Sequence, residues 1–90
     1  IFTHKSLGKF SASDAGLFVM NLMLGAHARG LGTCAQGAVG IYDDIVREEF
    51  NIPEAYELLY GVALGYPSDS IANTFKAPRL EPKDIKATVK

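Results

Sequence analysis

Apolar residues are unevenly spread along the chain, and their longest stretch is Ala15–Ala28. It is apolar around nearly the full circumference of a helix, which is typical of a helix buried on all sides. Ser11 or Ser13 can cap its start, and Gly30 can end it in a left-handed conformation. The pattern therefore predicts a central buried helix, preceded by an irregular polar lead-in over residues 1–13.

Beyond this helix, glycine-rich polar segments alternate with shorter apolar ones. Residues 31–40 contain three glycines and are interpreted as a loop. Residues 41–50 place most of their apolar side chains on one side, which predicts a second, amphipathic helix. The segment 56–66 (YELLYGVALGY) fits helix or strand by periodicity. Its length, its Tyr and Val content and the Gly-Tyr-Pro ending favour a core strand buried on both faces.

The last quarter of the chain is polar after Pro67, then basic and interrupted by prolines. This composition predicts an extended tail lying on a surface. The order helix, loop, helix, strand and tail predicts an α+β or α/β fold in which most of the sheet comes from elsewhere. Ninety residues allow one small domain at most.

The composition narrows the classes of protein. The chain is 48% hydrophobic and 21% charged, with a net charge of −1, which gives no electrostatic case for nucleic acid or an anionic membrane. Ala15–Ala28 is too short to span a bilayer. A single cysteine excludes an internal disulfide and favours a reducing, cytoplasmic location. The chain starts at Ile1 without a signal-peptide pattern, and the missing Met suggests a piece of something longer.

The glycine-flanked stretch LGTCAQG, residues 31–37, raises three chemical possibilities. Gly30, Gly32 and Ala35 fit a G-x-G-x-x-A pattern, but a helix precedes them where a dinucleotide site needs a strand. Cys34 as a nucleophile would need a base, and the two histidines give no sign of lying nearby. One cysteine and two scattered histidines do not have metal-ligand spacing either. A packed or incidental thiol is therefore the simpler interpretation.

Two cations in the tail, Lys76 and Arg79, lie three residues apart next to Pro78. A phosphate could use them as a point charge and a forked donor respectively. From composition alone, two solvated surface charges remain the commoner explanation.

Three segments of the chain, taken in order, resemble parts of one family. They are SDAGLFVMNLMLGAHARGLGTCAQG (13–37), LLYGVALGYPSD (58–69) and NTFKAPRLEP (73–82). They are similar to the central helix with its loop, the core strand and the closing segment of FMN-dependent nitroreductases. The chain thus resembles the C-terminal half of such a protein, residues 1–90 being part of a single domain whose N-terminal half is absent.

The resemblance implies a fold, a cofactor and a reaction. The fold would be an α+β sandwich, assembled as a homodimer with FMN in its interface sites. The reaction would be a ping-pong transfer of hydride from NAD(P)H through flavin N5 to a nitroaromatic, quinone or similar small-molecule acceptor. FMN carries this chemistry, so no catalytic side chain and no metal are expected.

The resemblance also suggests site residues. Cys34, Ala35, Gln36 and Gly37 would run along the flavin, with the backbone N–H of Gln36 or Gly37 facing N5. Arg79 would bind the FMN phosphate, with Lys76 assisting.

Other interpretations stay open. The chain could be a truncated, inactive relative, or a non-catalytic interaction or structural domain that dimerises through Ala15–Ala28. The same fold could also serve flavin reduction or dehalogenation.

Overall fold

The computed structural model of the chain describes residues 1–87, which form strands, α-helices and short 3₁₀ segments. In chain order these are β1 (Phe2–His4), a 3₁₀ segment (Lys5–Phe10), α1 (Ser11–His27), β2 (Gly32–Gln36), a second 3₁₀ segment (Gly37–Tyr42), α2 (Asp43–Glu49), β3 (Tyr56–Leu58), β4 (Gly61–Gly65), a third 3₁₀ segment (Ile71–Thr74) and α3 (Pro82–Ile85). The expectation of an extended tail over residues 88–90 lies outside the described residues.

The strands form two antiparallel pairs. β1 pairs with β3, placing Thr3 opposite Glu57, and β2 pairs with β4, placing Cys34 opposite Ala63. The predicted single strand over 56–66 is therefore wrong, because the segment divides between two sheets. It is also half-buried at most, not covered on both faces by the described chain.

The lead-in over residues 1–13 is regular rather than irregular, contrary to the prediction. β1 needs a partner far along the chain, which local sequence does not show. α1 begins at Ser11, and neither Ser11 nor Ser13 caps it. The N-cap residue is Phe10, whose side chain makes no capping hydrogen bond. Ser13 Oγ donates to Phe10 O at 2.8 Å.

The end of α1 confirms the predicted role of Gly30, which has φ +75°. Its N–H donates to His27 O at 3.0 Å, and the N–H of Leu31 donates to Ala26 O at 3.0 Å. These are the two bonds of a Schellman motif, which requires a left-handed residue at this position. The motif turns the chain sharply from α1 into β2.

α1 is central, as predicted, but the described chain covers only one stripe of it. The stripe consists of three buried residues and two half-buried ones: Ser11, Val19 and Ala26, with Ala15 and Met23. Five large apolar side chains on its other sides are 41–69% exposed: Leu17, Phe18, Met20, Leu22 and Leu24. Two short strand pairs cannot surround a helix, so most of the apolar circumference of α1 stays exposed within residues 1–87.

Two buried hydroxyls join α1 to the sheet. Thr3 Oγ1 and Ser11 Oγ are in residues only 8% and 4% exposed, and both donate to Glu57 Oε1, at 3.3 and 3.4 Å. The carboxylate of β3 thus connects β1 with the first turn of α1.

We expect Glu57→Ala to lower the free energy of unfolding by about 1–2 kcal/mol, because it leaves two buried hydroxyls without this acceptor. Denaturant unfolding measures the effect. Glu57→Gln, which keeps an acceptor oxygen, should lose less, and the exposed Glu48→Ala should stay within about 0.5 kcal/mol. Equal losses for Glu57→Ala and Glu48→Ala would contradict the role of the carboxylate.

The second predicted helix exists but is shorter than residues 41–50. Its first two positions belong to the Gly37–Tyr42 3₁₀ segment, and α2 starts at Asp43. Arg47 fastens α2 to β3, since its Nε donates to Asp43 Oδ2 and its Nη2 to Tyr56 O, both at 2.6 Å.

The tail up to residue 87 is mostly without regular secondary structure, with two short helical turns. Four apolar side chains along it are 69–85% exposed: Ile71, Phe75, Leu80 and Ile85. Within residues 1–87, no helix is long and apolar enough to cross a membrane.

Candidate functional site

Four of the six predicted site residues are consecutive at the end of β2. Cys34, Ala35 and Gln36 belong to the strand, and Gly37 starts the following 3₁₀ segment. The prediction of a loop over residues 31–40 is therefore wrong. Pairing with β4 holds the backbone of Cys34, Ala35 and Gln36, and all four residues remain exposed.

The backbone of β2 retains groups that can bind a ligand. β4 is its pairing partner within residues 1–87, so alternate N–H and C=O groups on the other edge of β2 have no ladder partner there. Side chains alternate along a strand, so Cys34 and Gln36 lie on one face and Ala35 on the other.

Gly37 stands next to open space. A Cβ built at this position would meet nothing within 4 Å among the described residues. A flat ring can approach an exposed glycine backbone closely, because no side chain holds it away. The open space beside the Gly37 backbone therefore suits the close approach of a flat ring such as that of a flavin.

Cys34 also lines a shallow groove of about 340 Å³ between β2, β4 and the chain that follows β4. Tyr66 and Asn73 line the same groove, whereas Ala35, Gln36 and Gly37 do not. The thiol has a weak contact with Ala35 O at 3.7 Å. His4 uses its Nδ1 with Ser6 Oγ at 2.7 Å, so this histidine is engaged elsewhere.

The described part of the chain has no group of three or more His, Cys, Asp or Glu side chains able to hold a metal ion.

Lys76 and Arg79 lie in the irregular stretch between the third 3₁₀ segment and α3, and both are exposed. Arg79 Nη1 donates to Pro78 O at 3.1 Å, leaving most of its five N–H donors available. Within residues 1–87 the ion pair is Arg47–Asp43, so neither cation is engaged by a carboxylate there. This donor set fits a phosphate.

The structure does not bring the two parts of the predicted site into one groove. Neither Lys76 nor Arg79 lines the groove that contains Cys34. The ring and the phosphate of FMN lie at opposite ends of the molecule, so the two sets of residues do not need to touch each other.

Two further residues shape this region, and neither was predicted as a site residue. Asn73 Nδ2 donates to Ser68 O at 2.7 Å, which holds the turn between β4 and the tail. Gly40 lies against the backbone of Leu59, where a Cβ would overlap the carbonyl oxygen. A glycine among nine gives no sequence signal for such a contact.

The packing of α1 across two antiparallel strand pairs defines an α+β protein with a helix at its centre. Comparison with protein families is more specific, since the Nitroreductase family matches residues 2–66. The chain belongs to the nitroreductase family.

Individual relatives agree with this assignment. The chain is 36% identical over 81 residues to a 4-nitrobenzoate reductase of Pseudomonas putida, covering 88% of this chain and 36% of that protein. It is 37% identical over 67 residues to a chloronitrobenzene nitroreductase of Comamonas testosteroni, covering 73% of this chain and 30% of that protein.

A solved structure has the same fold. It is the FMN-dependent nitroreductase NfnB from Mycobacterium smegmatis in complex with NADPH, with a TM-score of 0.85 and 30% identity. The match covers 99% of this chain and 40% of that one. The chain thus spans about a third to two fifths of the length of these relatives. The predicted family and the nitroreductase-like α+β fold are confirmed.

Proposed function

We propose that this chain is the flavin-contacting, C-terminal part of an FMN-dependent oxidoreductase that uses NAD(P)H to reduce nitroaromatic, quinone or similar acceptors. The observation that carries the proposal is the 0.85 TM-score to the NADPH complex of an FMN-dependent nitroreductase over nearly the whole chain. When bound, FMN would supply the redox chemistry, carrying two electrons as a hydride from NAD(P)H to the acceptor, which takes up protons from solvent.

The end of β2 serves as the flavin edge of the site. The backbone N–H of Gln36 or Gly37 donates a hydrogen bond toward flavin N5, and the strand from Cys34 to Gln36 lies along the ring. The exposure of these residues and the open space at Gly37 support this role. A backbone donor held by a strand ladder is already oriented before the flavin binds.

The tail binds the other end of the cofactor. Arg79 offers a planar fork that matches a phosphate, and Lys76 adds a second positive charge. Their exposure and the absence of a carboxylate partner within residues 1–87 support this role.

A nitroaromatic acceptor is the first choice for the substrate. It is the class named for the relatives from Pseudomonas putida and Comamonas testosteroni, which act on 4-nitrobenzoate and chloronitrobenzene. Since the chain spans about a third of those proteins, residues outside it contribute to acceptor choice.

The working assembly combines this chain with the N-terminal half of the domain and with a second copy in a homodimer. The exposed apolar side chains of α1 and of the tail support this assembly, because surfaces of this kind mark interaction sites.

The function is tested by purifying the chain assembled with the N-terminal half of its domain and measuring the visible spectrum of that protein before and after denaturation. Flavin absorbance that denaturation releases as FMN, together with oxidation of NAD(P)H on addition of a nitroaromatic, is the expected result. A colourless, cooperatively folded protein that does not take up FMN would favour the non-catalytic dimeric domain instead.

We expect Cys34→Ala to weaken FMN binding by less than about threefold, because the backbone of β2 and not the thiol provides the flavin contact. Titration with FMN, followed by flavin fluorescence, measures the change. A tenfold or larger loss would mean that the thiol itself contacts the cofactor.

A further inference from the structure

The 3₁₀ segment that starts at Gly37 is fastened to the sheet by a close backbone contact. Gly40 packs against the peptide that joins β3 to β4: a Cβ built on Gly40 would overlap Leu59 O and lie 3.0 Å from the carbonyl carbon of Leu59. The obstacle is backbone, so it cannot rotate away as a side chain would. Only glycine permits this approach.

In a second contact, a side chain of the 3₁₀ segment packs on a glycine of the sheet. The side chain of Val39 lies over Gly61, the first residue of β4, where a Cβ would be 3.0 Å from Val39 Cγ2. Gly61 is also the partner of Gln36 in the β2–β4 ladder. The junction of β3 and β4 thus contacts the 3₁₀ segment and pairs with the end of β2.

These contacts lie one helical turn from the proposed flavin contact. In a 3₁₀ helix, residues three apart lie above one another, so Gly40 and Gly37 share one side of the segment, about 6 Å apart. A shift of Gly40 away from Leu59 therefore moves the Gly37 backbone with it.

We propose that Gly40 and Gly61 are positioning residues, which set the height of the Gln36–Gly37 backbone N–H relative to the flavin ring. The inference rests on the proposed function and deepens it. The two glycines do not touch the cofactor: they act through the 3₁₀ segment, by letting it sit directly on the β3–β4 junction.

The test uses Gly40→Ala, Gly61→Ala and the control Gly65→Ala in the FMN-loaded protein. Gly65 lies in the same strand pair, and a Cβ there would meet nothing within 4 Å. Relieving the overlap at residue 40 needs a displacement of about 1 Å, which is enough to slow a well-oriented step by about 10- to 100-fold. Anaerobic reduction of the flavin by NADPH and the visible spectrum of the bound flavin are measured for each variant.

We expect Gly40→Ala to shift the flavin absorption bands and to slow flavin reduction at least about tenfold, while the FMN dissociation constant changes less than threefold. This separation follows because the phosphate is bound by the tail, far from the substitution in sequence. Gly65→Ala should match the unsubstituted protein in all three measurements. Unchanged bands and reduction rate in Gly40→Ala would overturn the inference.

Two further variants test the inference if Gly40→Ala does not fold. Gly61→Ala meets a side chain rather than backbone, so it should show a smaller version of the same effects. Trimming the neighbour in Val39→Ala/Gly61→Ala restores the space, and the spectrum and rate should return toward the original. If Gly61→Ala has no effect, or the double variant does not restore it, the inference is wrong. An unsubstituted protein that binds no FMN refutes the proposed function itself.

Discussion

Replacing Arg79 by alanine is expected to raise the dissociation constant of FMN about 100-fold, since two charge-assisted hydrogen bonds to a phosphate are lost. Arg79 is exposed, and its guanidinium makes one hydrogen bond to the neighbouring Pro78 within the described chain. The substitution therefore removes few contacts within the described chain. Titration of the FMN-free protein, followed by the quenching of flavin fluorescence, gives the constant.

Riboflavin provides the matched ligand for this experiment, because it has the ring of FMN without the phosphate. Arg79→Ala should leave riboflavin affinity within about twofold while FMN affinity falls. Lys83→Ala removes a cation from the same tail and is the control variant. The phosphate assignment fails if both ligands weaken equally in Arg79→Ala, or if Lys83→Ala weakens FMN as much.

If α1 forms the proposed homodimer interface, introducing aspartate at Leu17 or Leu24 is expected to raise the dissociation constant of the dimer at least about 100-fold, since an unpaired charge in an apolar interface is strongly unfavourable. Both side chains lie on the side of α1 away from Val19, following 100° per residue, and are 69% and 60% exposed. Because both side chains are mostly exposed, the substitutions remove little packing within the described chain. Sedimentation velocity measures the mass distribution, and circular dichroism checks that the helix persists.

Ser13→Asp is the control for these variants, since it adds the same charge to the first turn of α1, where a carboxylate is favourable. It should leave the mass distribution unchanged. A dimer that persists equally in Leu17→Asp, Leu24→Asp and Ser13→Asp would show that this side of α1 faces something other than a second copy.

The helical part of the fold was predictable because its signals are local. The apolar run of α1, the stop at Gly30 and the carboxylates at the start of α2 are each contained within a few residues. Even so, the start of α1 differs from the prediction, because two serines offered equivalent caps and the helix uses neither.

The strands were harder to predict because each is defined by a distant partner. The segment Gly32–Gln36 (GTCAQ) lacks the alternation of large apolar residues that marks a strand. It is a strand because it pairs with Gly61–Gly65. The break between β3 and β4 is equally invisible in YELLYGVALGY. It arises because the two halves bond to different strands.

The candidate site was predicted from the family resemblance rather than from local physics. Backbone N–H groups at Gln36 and Gly37 leave no mark in a sequence, since every non-proline residue has one. Lys76 and Arg79 look like ordinary surface charges until a phosphate is considered. The roles of the six residues therefore remain predictions, and the Cys34→Ala and Arg79→Ala binding experiments test two of them directly.

The antiparallel pairing of β1 with β3 has a kinetic consequence. It encloses α1, β2 and α2 in a loop about twice as long as the one that the pairing of β2 with β4 closes. The entropy lost on closing a loop grows with its length, so β2 should meet β4 before β1 meets β3 as the chain folds. The edge of the proposed flavin site would then form early, and the strand that completes the other sheet would join last.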